Sequence, residues 1–353
     1  MAANDPFKPW ERAFVREAGL VVTYRCQISC QHCNVEAGPH RTEEVALGEA
    51  LDWIGQIADY RNGRIRALSF TGGEPLYSVE RFKTLSSFAR ERGLFASAVT
   101  NAYWASTREG AIALLRQLTG LQALSISTDV HHQKQIPFEW VENAIAAAKE
   151  CGLPYDVAIC TEDVEDPEYL RVIAQLEQIT APNTIARVIT FPVGRARMSL
   201  DASRYQHTAE PVKSACLMAG LPIFLLDGRV VACIGPILSL TSPHPLAFGS
   251  LRERSLQEIL DEAEVNPILH AIRIWGPRYL VSRVREAGLA EHLPPSFIKN
   301  SICHACYCLM SNPRLVQFMA ELAHDQEFVE RVAYGRVYYL KETEMVELLG
   351  LPT

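Results

Sequence analysis

The residues best suited to chemistry lie close together near the start of the chain. The run YRCQISCQHCN holds Cys26, Cys30 and Cys33, spaced C-x3-C-x2-C. A disulfide takes two thiols and a structural zinc site takes four protein ligands, so three is an incomplete number for either. Three thiolates on one loop can hold three irons of a [4Fe–4S] cube. The fourth iron is then open to a ligand that is not protein, as a catalytic zinc keeps a position for water. The alternative is a zinc knuckle completed by His32, His40 or a distant cysteine. A second stretch, TGGEP at residues 71–75, joins two glycines to a carboxylate. Glycines let backbone approach a ligand closely, and a carboxylate complements an ammonium group.

Positioning these residues requires a scaffold, and the first half of the chain supplies one. Short β-branched runs at 19–25, 64–70, 94–100, 122–128, 154–160 and 184–190 alternate with amphipathic stretches at 49–62, 78–93, 107–120, 137–152 and 166–180. Several of those stretches end in Gly or Asn, as helix C-termini do. Six βα repeats predict a parallel α/β sheet, curved or doubly wound, with its chemistry at the C-terminal ends of the strands. Cys26, the TGGE segment, Asn101 and Asp129 follow strands one to four in that order. After about Gly194 the pattern changes to a hairpin turning at Asp227-Gly228, a Pro-rich loop and several helices.

Composition narrows the class. The 353 residues are 48% hydrophobic and 21% charged, which predicts a well-filled core. With Lys+Arg 34 against Asp+Glu 41 and a net charge of -7, the basic footprint of a nucleic-acid binder is missing. No apolar run is long enough to cross a bilayer. The N-terminal MAANDPFKPWERAF has no apolar signal region, which leads to the expectation of a cytoplasmic protein with ten reduced cysteines.

Together, CxxxCxxC after the first strand and GGEP after the second resemble the radical S-adenosylmethionine (SAM) superfamily over roughly residues 19–195. The resemblance implies a partial (β/α)6 TIM-like barrel spanning 1–195. Cys26, Cys30 and Cys33 would ligate a [4Fe–4S] cluster whose open iron is chelated by SAM. Gly72, Gly73 and Glu74 match the segment that binds the SAM amino group. Ser127 and Asp129 match a strand-four position that contacts ribose or carboxylate. Arg195, after strand six, would meet a carboxylate or diphosphate. Asn101 stands where relatives carry TNG; here Ala102 replaces the glycine, so the local backbone is expected to differ. His32 fills the slot that relatives give to an aromatic residue.

The remaining cysteines resemble a SPASM or shorter twitch-type auxiliary domain, assigned to 196–353. Cys216 and Cys233 bracket the DGRV hairpin, and Cys303 and Cys306 form a late CxxC. The resemblance implies that these four hold a second, auxiliary [4Fe–4S] cluster; a zinc ribbon is the alternative. Cys308 is left over, and its place on the same short loop makes it a substitute for Cys306 as ligand or a hydrogen-atom donor to substrate. Cys160, ending strand five, is a further donor candidate. Cys151 reads as a packing residue. In DVHHQKQIP, His131 is the candidate for binding substrate or moving a proton.

The activity implied is reductive cleavage of SAM followed by hydrogen abstraction from a C–H bond. The substrate expected is a small, sugar- or aminocyclitol-like natural-product intermediate, with epimerisation or oxidation as outcome. Maturation of a ribosomally made precursor peptide is the alternative. A flavodoxin or ferredoxin is the implied reductant. A non-catalytic iron–sulfur scaffold has no need for the TGGEP segment.

Overall fold

The computed structural model describes residues 14–342 and Gly350, which divide into two compact units. One comprises 18–207 with 224–228; the other comprises 14–17, 208–223, 229–342 and Gly350.

The first unit is an open, partial (β/α)6 barrel. Its strands are β1 (Glu17–Thr23), β2 (Ala67–Gly72), β3 (Phe95–Thr100), β4 (Ala123–Ser127), β5 (Tyr155–Thr161) and β6 (Ile185–Ile189). They neighbour one another in sequence order, and β2 to β6 pair in parallel. Between them run α1 (Leu47–Asp59), α2 (Val79–Glu91), α3 (Arg108–Gln117), a single turn α4 (Val130–Gln133), α5 (Phe138–Glu150) and α6 (Pro167–Ile179). Local chemistry sets the helix starts: the Thr107 side chain caps α3, and Asp166 caps α6 with Pro167 in its first turn.

Strand alternation divides the sheet into two faces. Leu68, Phe70, Ala96, Ala98, Leu124, Ile126, Val157 and Ile159 are buried on one face. There Phe70 meets Phe82 of α2 edge-on, with ring centroids 5.5 Å apart. The opposite face carries Ser69, Ser97, Ser125, Ser127, Ala158 and Cys160, all half-buried. Small side chains predominate on this face, which also carries Val99 and the exposed Val188.

In the second unit, strands Arg229–Val231 and Ala247–Ser250 pair antiparallel. The expected turn precedes the first of these, with Gly228 at φ +86°. Helix Leu256–Glu264 opens with a reciprocal capping box between Ser255 and Glu258. Helices Pro267–Trp275, Pro277–Glu286, Ile302–Ser311, Pro313–Leu322 and Gln326–Gly335 follow. A buried ion network ties this unit together. Arg336 meets Glu264 at 2.7 Å and Glu342 at 2.6 Å, and Arg273 meets Glu342 at 2.7 Å. Among the described residues, no helix is long and apolar enough to cross a membrane.

Candidate functional site

The loop after β1 gathers Cys26, Cys30 and Cys33 around Ile28, Ala37 and Ile136. Burial pushes the Cys26 thiol up to about 12 and raises that of Cys33. Donors nevertheless face both sulfurs. Asn101 Nδ2 donates to Cys26 Sγ at 3.3 Å and the Ala37 backbone N–H to Cys33 Sγ at 3.3 Å. Donors aimed at sulfur suit thiolates, the form in which cysteine binds metal.

Three other segments hold the loop in place. Arg195 donates to the carbonyls of Cys30 at 2.8 Å and Ala37 at 2.6 Å, and its backbone N–H reaches Cys33 O at 3.1 Å. The arginine expected to meet a ligand's anionic group is thus spent on fastening the loop. Beside it, Gly194 runs so close to the loop that a Cβ would lie 2.6 Å from Cys33 O. From the strand-four side, Gln135 Oε1 accepts from Ser29 N at 2.9 Å and Lys134 donates to Gln31 at 2.8 Å.

In the TGGE segment the glycines meet the chain's own backbone. A Cβ on Gly72 would sit 2.3 Å from Thr23 O, and one on Gly73 2.1 Å from Arg25 O. Gly73 N and Glu74 N donate to those same carbonyls at 2.7 and 2.9 Å. The glycines are needed where two stretches of the chain's own backbone meet, stitching the end of β2 to the loop entering Cys26. Glu74 is fully buried. One carboxylate oxygen accepts from Leu76 N at 3.0 Å and Thr100 Oγ1 at 2.9 Å, the other from Asn101 N at 2.8 Å and Thr100 Oγ1 at 3.0 Å. Burial raises its pKa to about 7 despite these donors.

Asn101 is also fixed through its own side chain, since Oδ1 accepts from Tyr103 N at 2.9 Å. That turn passes through Ala102 at φ +63°. Alanine holds this left-handed conformation at a cost of about 1–2 kcal/mol.

At the end of β4, Asp129 gathers a network. One carboxylate oxygen accepts from the backbone N–H groups of His131 and His132 at 2.8 and 2.9 Å. The other meets His132 Nδ1 at 2.8 Å, Cys160 Sγ at 2.9 Å and His32 Nε2 at 3.6 Å. Burial works against the charged carboxylate, but the nearby His132 and His32 outweigh it and hold Asp129 below the usual range. Burial in turn lowers His32 to about 4. The His132 ring also faces Cys30. His131 points elsewhere, with Nε2 2.8 Å from Glu162 Oε1. Glu162 and His132 were missed from sequence. The readable signal for Glu162 was its place two residues past Cys160, on the same face as β5 ends. Ser127 lies on the barrel's inner face, in register with Ala158.

Four of the buried side-chain atoms without a hydrogen-bond partner are Gln27 Oε1, His32 Nδ1, Thr128 Oγ1 and Gln133 Nε2. All lie on the loop after β1 or the segment after β4. A buried polar atom without a protein partner leaves a hydrogen bond open to water, an ion or a ligand.

In the second unit burial raises the Cys306 thiol, and the nearby Cys233, Cys303, Cys216 and Cys308 raise it further. Burial pushes Cys233 and Cys303 up to about 12. A Cβ on Gly235 would meet the Cys233 sulfur at 3.2 Å and the Cys303 sulfur at 3.9 Å, so both surround the same glycine. Cys303, Cys306 and Cys308 stand on helix Ile302–Ser311, which corrects the expected short loop. Three helical steps bring Cys303 and Cys306 within about 60° of each other, whereas Cys308 turns about 200° from Cys306. Cys308 instead meets His304 Nε2 at 3.6 Å, and burial pushes its thiol up to about 11. Cys151 Sγ approaches Ile112 O at 4.0 Å, between α5 and α3.

Among the described residues, His32, Asp129 and His132 bring ligand atoms within 4.8 Å of one another.

Residues 20–175 match the family model described as the Radical SAM superfamily. The chain is 19% identical over 298 residues to YydG of Bacillus subtilis (strain 168), a protein named for peptide biosynthesis, covering 83% of this chain and 92% of YydG. Among solved structures, native anSMEcpe with bound AdoMet superposes with a TM-score of 0.53 at 12% identity, over 94% of this chain and 99% of that one. BtrN in complex with AdoMet and 2-DOIA gives 0.44 at 16% identity, over 73% and 87%. The anSMEcpe likeness concerns the fold.

Proposed function

From the premise that residues 20–175 form a radical SAM superfamily domain, we propose that the chain is an enzyme acting on a peptide. In this reading Cys26, Cys30 and Cys33 hold a [4Fe–4S] cluster, with SAM at the fourth iron. The observation that carries it is the fastened three-thiol loop, with N–H donors on Cys26 and Cys33. The other cysteines of the barrel unit are engaged elsewhere, Cys160 with Asp129 and Cys151 near Ile112. When bound, cluster and SAM together supply a 5′-deoxyadenosyl radical able to take hydrogen from a C–H bond.

The chain's own part is to hold and to exclude. Arg195 and Gly194 keep the loop closed, and Glu74 fixes Asn101. Gln27, His32, Thr128 and Gln133 offer buried polar atoms to a ligand. The small side chains of the inner face leave room for substrate along the barrel. Of the two donor thiols, Cys160 is preferred, because it sits on that inner face at the strand ends while Cys308 faces His304. Cys216, Cys233, Cys303 and Cys306 hold an auxiliary cluster, a reading supported by their mutual proximity.

The likeness to YydG favours a peptide over the small molecule expected from sequence, since it extends over 92% of that protein's length. The test is anaerobic incubation of dithionite-reduced protein with SAM. 5′-Deoxyadenosine must form, and must disappear in C26A, C30A and C33A; its absence from protein with intact clusters rejects the enzyme reading. Turnover in D2O of short peptides encoded beside the gene then tests the substrate. One solvent deuterium in the product, lost in C160S while SAM cleavage continues, supports hydrogen return from Cys160. A product two mass units lighter supports oxidation and rejects that role. Turnover of a small molecule with no peptide accepted rejects the peptide reading.

A further inference from the structure

Asn101 has so far only a structural account, yet its side chain ends on a sulfur. We propose that the Asn101 carboxamide is a tuning donor to Cys26, an N–H···S bond that raises the reduction potential of the cluster held by the loop. This rests on the reading that Cys26, Cys30 and Cys33 carry a [4Fe–4S] cluster.

The geometry leaves little freedom. Asparagine's two ends are hard to tell apart by shape, but here the hydrogen bonds decide: Oδ1 accepts from Tyr103 N at 2.9 Å, so Nδ2 is the end 3.3 Å from Cys26 Sγ. The backbone N of Asn101 is pinned by buried Glu74 at 2.8 Å. Ala102 accepts a left-handed φ of +63° to close the turn that fixes the amide. Asn101 is itself buried, with 6% of its surface exposed, so water does not compete for the bond. Three separate features therefore hold one neutral donor on one sulfur.

Position gives that donor a function. Reduction adds an electron to the cluster, and some of the added charge falls on its sulfurs. An N–H aimed at sulfur stabilises the reduced state more than the oxidised one and raises the potential. The donor to Cys33 is the Ala37 backbone, which side-chain substitution leaves in place. Asn101 is a lever that one substitution removes. TGGE then acts at a distance: its carboxylate positions Asn101, and Asn101 acts on the cluster.

The experiment is a redox titration of the reconstituted full chain, monitored by EPR on the signal that changes when SAM is added. Asn101→Leu is expected to shift the one-electron equilibrium about tenfold toward the oxidised form, a midpoint about 59 mV more negative. Asn101→Asp, which replaces the donor with an acceptor, is expected to move it further. Asn101→Ser keeps an oxygen for Tyr103 N–H but loses the N–H toward Cys26. It must also shift negative, and it stands in for the leucine variant should that one fail to hold iron. An unchanged midpoint in leucine or serine variants that retain the SAM-responsive signal overturns the proposal while leaving the cluster reading intact. A wild-type chain with no SAM-responsive signal overturns both.

Discussion

The two cysteine sets are assembled in opposite ways. The first lies within eight residues of sequence, on one loop, and the fold's work is to fasten that loop: Arg195 from after β6, Gln135 from after β4, Gly73 and Glu74 from after β2. The second is drawn from three separate segments, and the fold's work is to bring them together. Cys216 opens a short turn, Cys233 follows a strand, and Cys303 and Cys306 share a helix face. Their donors differ as well. Cys233 receives the Gly235 backbone N–H at 3.4 Å, whereas Cys26 receives a side chain. In the proposed reading, four thiols close a site and three leave one open. The difference teaches that an open site needs external fastening, because no fourth ligand completes its cage.

The largest expected effect separates the sets by chemistry. C26A should reduce 5′-deoxyadenosine formation to background and leave about four irons per chain, whereas C233A should lose about four of eight irons and still cleave SAM. Iron analysis and product chromatography check both. A C233A protein with full iron breaks the comparison.

Next in size is the scaffold of the second unit. Arg336→Met leaves Glu264 and Glu342 buried without their shared cation, and a loss of about 3–5 kcal/mol is expected. Denaturant titration measures it.

A smaller effect concerns pH. Glu74 is raised to about 7 in the folded chain, so the folded state binds the proton more tightly than the unfolded one. The resulting stabilisation is full below about pH 4.5 and is lost as pH rises through about 7, with an upper limit of about 3 kcal/mol. Glu74→Gln should flatten this dependence in cluster-free protein, read from urea midpoints at pH 5 and pH 8.

The smallest is Ala102→Gly. Relief of the positive φ exceeds the added freedom of the unfolded chain by a few tenths of a kcal/mol to about 1 kcal/mol. A small rise in thermal midpoint is expected.

The barrel was legible because its signals are local. Alternation such as ALSIS for β4 and caps such as Asp166-Pro167 fall within a few residues of the elements they define. The Cys26 loop was legible for the same reason. Other roles depended on contacts between distant residues. Arg195 reads as a ligand-binding cation until its carbonyl partners, more than 150 positions earlier, are seen. Gly72 and Gly73 announce a close approach without saying to what. Cys306 and Cys308 differ by a helical rotation that appears only once 302–311 is known to be helical. His131 and His132 read alike in sequence, and only the fold shows which ring meets Asp129 and which Glu162.

The central claim is that the three-thiol site alone keeps a coordination position for SAM. EPR of the reduced protein with and without SAM, in the C26A and C233A variants, tests it most directly. The account predicts that SAM changes the signal of the cluster remaining in C233A and leaves that of the cluster remaining in C26A untouched. A SAM-responsive cluster in C26A, or an unresponsive one in iron-loaded C233A, would contradict it.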